Sequence, residues 1–262
     1  MKKIVFSQFS NKVTPFRNSS NQDKLEQFEK YYDRIYQAQK NYAKKCNADY
    51  VLHNPNIDYY PDLQFEKIYQ MERYAEQYDQ ILYLDFDVVP TEGASNMFNV
   101  FPDDKIYMHP LKRDLTLREM ELMIQYQGFD NQSVFCKTAC KKAMLLLNDI
   151  NGNDLLYNTG VTLAGKETIK RLEYSKHKPE LDNLLDEAKE DSIYPEEITK
   201  NFFYNNEVYM SYLVEKLDID HVDIPLSWNY ILDGYQKQVK DVAHLVHHVN
   251  KEFWRQLSKY GE

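Results

Sequence analysis

Apolar positions in the first third of the chain switch between two periods. Lys3–Phe9 reads as a strand. Gln22–Cys46 then takes up helical spacing, with Leu25, Phe28, Tyr32, Ile35, Tyr36 and Tyr42 on one face. Asp49–His53 returns to a strand, and Pro55–Pro61 is a loop. Leu63–Tyr78 is helical again, with Phe65, Ile68, Met71 and Ala75 turned inward. Asp79 ends that helix, and Ile81–Leu84 is a third strand. This alternation of strand and helix predicts a parallel sheet.

The remainder is less regular. Ile106–Met108 and Leu155–Leu163 read as strands, the second entered through a polar turn. Thr116–Gln127, Ser133–Asn148, Lys166–Tyr174 and Asn205–Leu217 read as helices, the last with Val208, Tyr212, Leu213 and Leu217 inward. Lys176–Glu197 is rich in charge and reads as a solvated helix and loop. Val222–Pro225 and Val242–Val249 are late strands, and Phe253–Tyr260 is a terminal helix. Neither a repeat nor a long linker interrupts the chain, which predicts one domain with two subregions.

Composition narrows the function. A net charge of −9 argues against a non-specific nucleic-acid partner, which needs a basic footprint. The 22 tyrosines and 13 phenylalanines exceed what a core alone needs, so some should line surfaces or clefts. The start, Met1–Phe9, is too short and soon too polar for a signal peptide, and no apolar run reaches the length of a membrane span. Three cysteines give no secreted disulfide framework; Cys136 and Cys140, four apart on a helix, read as reduced packing residues. These features predict a cytoplasmic protein.

The candidate chemistry lies in Ile81–Pro90, where an apolar run leads into Asp85-Phe86-Asp87. A buried strand should not end in two carboxylates unless something compensates their charge. Two positions apart on a strand they share a face and could converge on one hard cation, Mn²⁺ or Mg²⁺, leaving coordination positions open for phosphate. A second Asp-x-Asp, Asp218-Ile219-Asp220, follows a helix end and reads as a turn.

Four features in order resemble the GT-A-fold glycosyltransferases, and within them the branch of glycogenin and the bacterial lipopolysaccharide galactosyltransferases. They are Phe65-Glu66-Lys67-Ile68 leading to the aspartate pair, Tyr157-Asn158-Thr159-Gly160-Val161, Asn205-Asn206-Glu207 with Ile224–Tyr230, and His247-His248-Val249-Asn250-Lys251 with Phe253-Trp254. The resemblance implies an α/β fold with a mostly parallel, Rossmann-like central sheet flanked by helices in a single domain. Residues 1–105 would form the nucleotide-sugar half and 106–262 the acceptor-side half. It implies transfer of a hexose from a UDP- or GDP-sugar to a glycan or other hydroxyl acceptor, with Mn²⁺ or Mg²⁺ as cofactor.

Specific roles follow from the resemblance. Asp87 would bind the cation, and Asp85 the cation or the ribose. One of His247 and His248 would complete the ligand set, His247 being favoured by its spacing to Asn250, with His244 also open. Lys251 would hold a phosphate as a point charge, and Lys67 would stand in the helix that contacts the donor. Asn158 and Gly160 would form the wall against the donor sugar. Glu207 would be a general base if the reaction inverts, or would orient substrate if it retains. The base would settle near Phe6, Ser7 and Tyr50, at the carboxyl ends of the first two strands. Two other readings stand beside this one: a non-catalytic module binding nucleotide-sugar or glycan, and, more distantly, an Asp-x-Asp phosphatase, whose pair normally sits on the first strand.

Overall fold

The computed structural model describes residues 1–11, 21–111, 134–232 and 239–257. Two compact units result: Met1–His109 with Gly160–Lys170 and Val222–Glu262, and Pro110–Thr159 with Arg171–His221. No described helix is long and apolar enough to cross a membrane.

The strands are β1 (Lys3–Gln8), β2 (Asp49–His53), β3 (Gln80–Leu84), β4 (Val88–Pro90), β5 (Ile106–Leu111), β6 (Leu156–Gly165), β7 (His221–Asp223), β8 (Tyr230–Ile231) and β9 (Leu245–His247). Six of them form a sheet in the order β2-β1-β3-β6-β5-β7. The β1 strand pairs parallel with both β2 and β3, whereas β3 meets β6 antiparallel, Leu84 facing Val161. Two amphipathic helices, α1 (Asn21–Lys45) and α2 (Tyr60–Tyr74), pack on these strands and make the parallel crossovers. This is the α/β arrangement expected from the sequence. A small second sheet, β4-β9-β8, sets Val88 opposite His247 and so carries the late histidine back to the end of β3.

The interior explains these elements. Val5, Leu82, Leu84, Val161 and Leu163 from the large sheet pack with Val88 and Leu245 from the small one, closed by Tyr42, Met97, Phe98 and Trp228. A satellite of aromatic rings joins the two ends of the chain, with Phe9, Phe28 and Tyr32 against Phe86 and Phe28 against Phe253.

Several boundaries differ from those read in the sequence. Helix α2 starts three residues early because Pro61 is favoured in a first helical turn, and it ends at Tyr74 rather than Tyr78. The run Ile81–Pro90 is two strands separated by a turn at residues 85–87. The helix expected over Lys166–Tyr174 breaks at Glu173, whose φ of 40° is left-handed. Beyond it Tyr174–Glu190 is one amphipathic helix that buries Leu181, Leu184 and Leu185, not a merely solvated one. Strand β9 spans Leu245–His247 only. The helix expected over Thr116–Gln127 lies outside the described residues, as does the end of the terminal helix, which is seen over Trp254–Leu257.

In the second unit, Asn206–Lys216 is the central helix, capped by the Asn205 side chain and buried on every side from Asn206 to Val214. The buried span includes the polar Asn206, Glu207 and Ser211, which is why apolar spacing in the sequence showed only part of its inward face. The helix Val134–Leu146 packs against it. From that helix, the nearly sealed Lys141 ammonium reaches Glu215 Oε2 at 2.6 Å, Leu155 O at 2.8 Å and Asn153 Oδ1 at 3.0 Å. All three cysteines are buried, and none forms a disulfide with another.

Gly165 ends β6 where it pairs with Gln80. A Cβ there would stand 2.1 Å from Asp104 Oδ1 and 2.6 Å from Asp104 Cα. Asp104 cannot withdraw freely, since its carboxylate accepts from the Glu167 and Thr168 amides at 3.1 and 3.0 Å. Gly165→Ala should therefore destabilise by about 1–3 kcal/mol, the usual cost of overpacking. Urea unfolding at unchanged m-value measures it, and unaltered stability would show that this corner yields.

Candidate functional site

The aspartate pair is held from behind by backbone. The Val88 amide donates to Asp85 O at 2.9 Å, which closes the turn, and the Asp85 amide donates to Gly160 O at 2.7 Å. Gln39, fully buried in α1, donates to Asp85 O at 3.1 Å and Val88 O at 2.8 Å. Convergence of the two carboxylates thus comes from a pinned turn, not from the alternation of a continuous strand expected above.

Ligand atoms of Asp85, Asp87 and His247 all lie within 4.8 Å of one another. His247 Nε2 is 3.5 Å from Asp87 Oδ2 and 3.8 Å from Asp85 Oδ2. Its other nitrogen, Nδ1, lies 3.1 Å from Asn229 Oδ1, which fixes the ring with Nε2 toward the carboxylates. Gly160 permits this approach: a Cβ there would fall 2.4 Å from His247 Cε1 and 2.8 Å from Asp85 Oδ2. Two carboxylates and an imidazole make a donor set suited to a divalent cation.

Each carboxylate also has its own cation. Lys67, from α2, reaches Asp85 Oδ1 at 3.3 Å, and Tyr83 donates to the same oxygen at 2.6 Å. Lys251 is ion-paired with Asp87 Oδ2. Burial alone would raise the Asp87 pKa, but the Lys251 ammonium and His247 outweigh it and hold the carboxyl well below the usual range.

The two adjacent histidines diverge, as strand alternation requires. His248 is sealed inside, with Nε2 2.8 Å from Gln256 Oε1 and its ring against Phe253, and burial pushes its pKa down. It is not part of the carboxylate group. His244 lies against the Trp228 ring at 4.2 Å. Phe6 and Ser7 are fully buried in β1, Phe6 between Tyr74 and Tyr83, with the Ser7 hydroxyl donating to Leu84 O at 2.7 Å. The Tyr50 hydroxyl donates to Gln39 Oε1 at 2.9 Å. In the second unit, Glu207 accepts from Asn158 Nδ2 at 2.7 Å and pairs with Lys137 at 2.6 Å. Asp218 lies in a turn with φ 47°, as expected of the second Asp-x-Asp.

Three contributors escaped the sequence reading: Gln39, Tyr83 and Asn229. Gln39 had a signal, since it follows Ile35 by one helical turn and is polar at a core position. Asn229 stood inside a noted motif without a role. Tyr83 read simply as one more apolar strand residue.

No family model and no curated protein sequence matches this chain. Among solved structures it is similar to a glycosyltransferase involved in glycosylation of the major capsid of PBCV-1, with a TM-score of 0.50 and 13% identity over 95% of this chain and 93% of that one. The galactosyltransferase LgtC, in complex with donor and acceptor sugar analogs, aligns with a TM-score of 0.44 and 13% identity over 94% and 87% of the two chains. Mouse xyloside xylosyltransferase 1 gives 0.41 and 9% identity over 95% and 98%. The first likeness establishes the fold, an α/β architecture of the GT-A type.

A carboxyl held ionised by its partners stabilises the fold above its unfolded pKa of about 3.9, and that stabilisation is lost as pH falls toward the folded value. Asp87→Asn cannot titrate. Urea unfolding followed from pH 6 down to 2 should therefore fall less steeply at the acid end in Asp87→Asn than in the native chain. Parallel curves would mean that Asp87 contributes nothing to acid lability.

Proposed function

We propose that this protein is a divalent-cation-dependent glycosyltransferase, which moves a sugar, in the simplest case a hexose, from a UDP- or GDP-linked donor to a hydroxyl of a glycan or other acceptor. The observation that carries this reading is the convergence of Asp85, Asp87 and His247 at the end of β3. Those three residues would hold Mn²⁺ or Mg²⁺. When bound, the cation would neutralise charge gathering on the departing nucleoside diphosphate. Everything else falls to the chain's own groups.

Lys251 stands beside Asp87 with part of its side chain exposed, and would meet the diphosphate as a point charge. Lys67 would hold Asp85 in place, its ammonium also 4.8 Å from the centre of the Tyr83 ring. The base would settle at the carboxyl ends of β1 and β2, above the enclosed Phe6 and Ser7 side chains and near Tyr50. Gly160 would keep the donor-side wall thin. Asn158 and Glu207 form one hydrogen-bonded pair and would serve the acceptor side. Both Glu207 oxygens are engaged, which favours an orienting role over that of a proton acceptor.

The reading is tested by thermal shift against UDP- and GDP-sugars with and without Mn²⁺, followed by turnover of whichever donor stabilises. Stabilisation should require cation and matching nucleotide together. Asp87→Ala should lose turnover by about a hundredfold or more, beyond what outer-shell changes cost metal sites. Full activity in excess chelator would overturn the cation dependence.

A further inference from the structure

The carboxylates are already neutralised in the protein itself. Asp85 is matched by Lys67 and Asp87 by Lys251. A divalent cation entering this group would add two positive charges beside two ammonium groups. A diphosphate arriving with it would cancel that excess. The charge balance therefore favours the pair of ligands over the cation alone.

The two lysines are not equally free to respond. The Lys67 side chain is 5% exposed and rises from the middle of a helix packed on the sheet. Lys251 is 21% exposed and comes from a turn. Its backbone is left-handed, with φ 60°, and the turn is pinned to the site: the Lys251 amide donates to His248 O at 2.7 Å, and the His248 amide donates to Asp87 O at 2.9 Å. The Lys251 main chain is thus fixed against Asp87. Its ammonium lies 5.5 Å from the centre of the Phe28 ring, and the flexible stem can re-aim it.

We propose that Lys251 is an exchangeable counterion: it occupies the Asp87 oxygen in the free protein and moves onto the diphosphate when cation and nucleotide bind, so that the two ligands bind as a coupled pair. This rests on the cation-dependent reading above. It gives Lys251 opposite effects on two equilibria. The ammonium opposes the cation by itself and assists the nucleotide once the cation is present. A lysine that only touched phosphate would leave binding of the bare cation unchanged.

The test follows Mn²⁺ binding to the intact chain by the electron paramagnetic resonance of free Mn²⁺, first without nucleotide. Lys251→Met should bind Mn²⁺ alone about tenfold more tightly than the native chain, within the usual span of coupling between sites. With Mn²⁺ saturating, the same variant should bind UDP or GDP, used as probes, about tenfold more weakly. Lys251→Arg keeps the charge and should restore the native pattern for bare Mn²⁺. Should Lys251→Met fold poorly, Lys251→Gly serves instead, since glycine accepts the left-handed backbone without strain. Equal affinity for bare Mn²⁺ in the native chain and the charge-removing variant would overturn the exchange and leave the cation site standing. Failure of any of these chains to bind Mn²⁺, with or without UDP or GDP, would overturn the underlying reading and the exchange with it.

Discussion

Burial of the Asp87 carboxylate sets the terms for everything around it. An ionised carboxylate removed from water costs several kcal/mol unless it is paired and hydrogen-bonded. The compensation is drawn from segments far apart in the chain. Lys251 comes from the C-terminal turn, His247 from β9, and the backbone of the turn is fixed by Gln39 from α1. The sheet pairings are therefore part of the site. The β4–β9 register places His247 opposite Val88; a slip of one residue would turn Val246 toward the carboxylates and the imidazole away.

The same rule operates in the second unit with a different result. Lys141 also has charged and polar partners, but they enclose it, its side chain is only 1% exposed, and burial lowers its pKa despite Glu215. It fastens the polar segment before β6 and offers nothing to a ligand. Asp85, by contrast, keeps 30% of its side chain exposed, so the group at the end of β3 is compensated without being sealed. Accessibility, more than the presence of buried charge, separates a site from a structural lock.

Much of this was legible in the sequence because it is written locally. The periods of Lys3–Gln8, Asn21–Lys45 and Asp49–His53 gave those elements nearly to the residue, and the apolar approach to Asp85 marked the site. What was not legible depends on long-range pairing. Val88–Pro90 and Leu245–His247 are three-residue strands that exist because they pair with each other, so no local rhythm could define their ends. The Asp85–Asp87 turn could not be told from a continuous strand, since Phe86 and Val88 look equally apolar in either conformation. Lys67 and Lys251 could be solvated lysines in a sequence; only the folded chain puts a carboxylate against each.

A buried ion pair is a weak source of stability, since apolar residues of similar volume often do as well or better. The Asp87–Lys251 pair, at the edge of a core built from valine, leucine and phenylalanine, is therefore better explained by use of its charge than by folding. A module that only held a glycan could do so with the aromatic rings in which this chain is rich, and would gain nothing from two carboxylates and an imidazole aimed at one point. A phosphatase of the Asp-x-Asp kind would carry its pair on the first strand, whereas here it follows β3, between β1 and β6 in the sheet. The transfer proposed above would use both carboxylates and the ammonium beside them, and the fold maintains that group of charges against the cost of burying it.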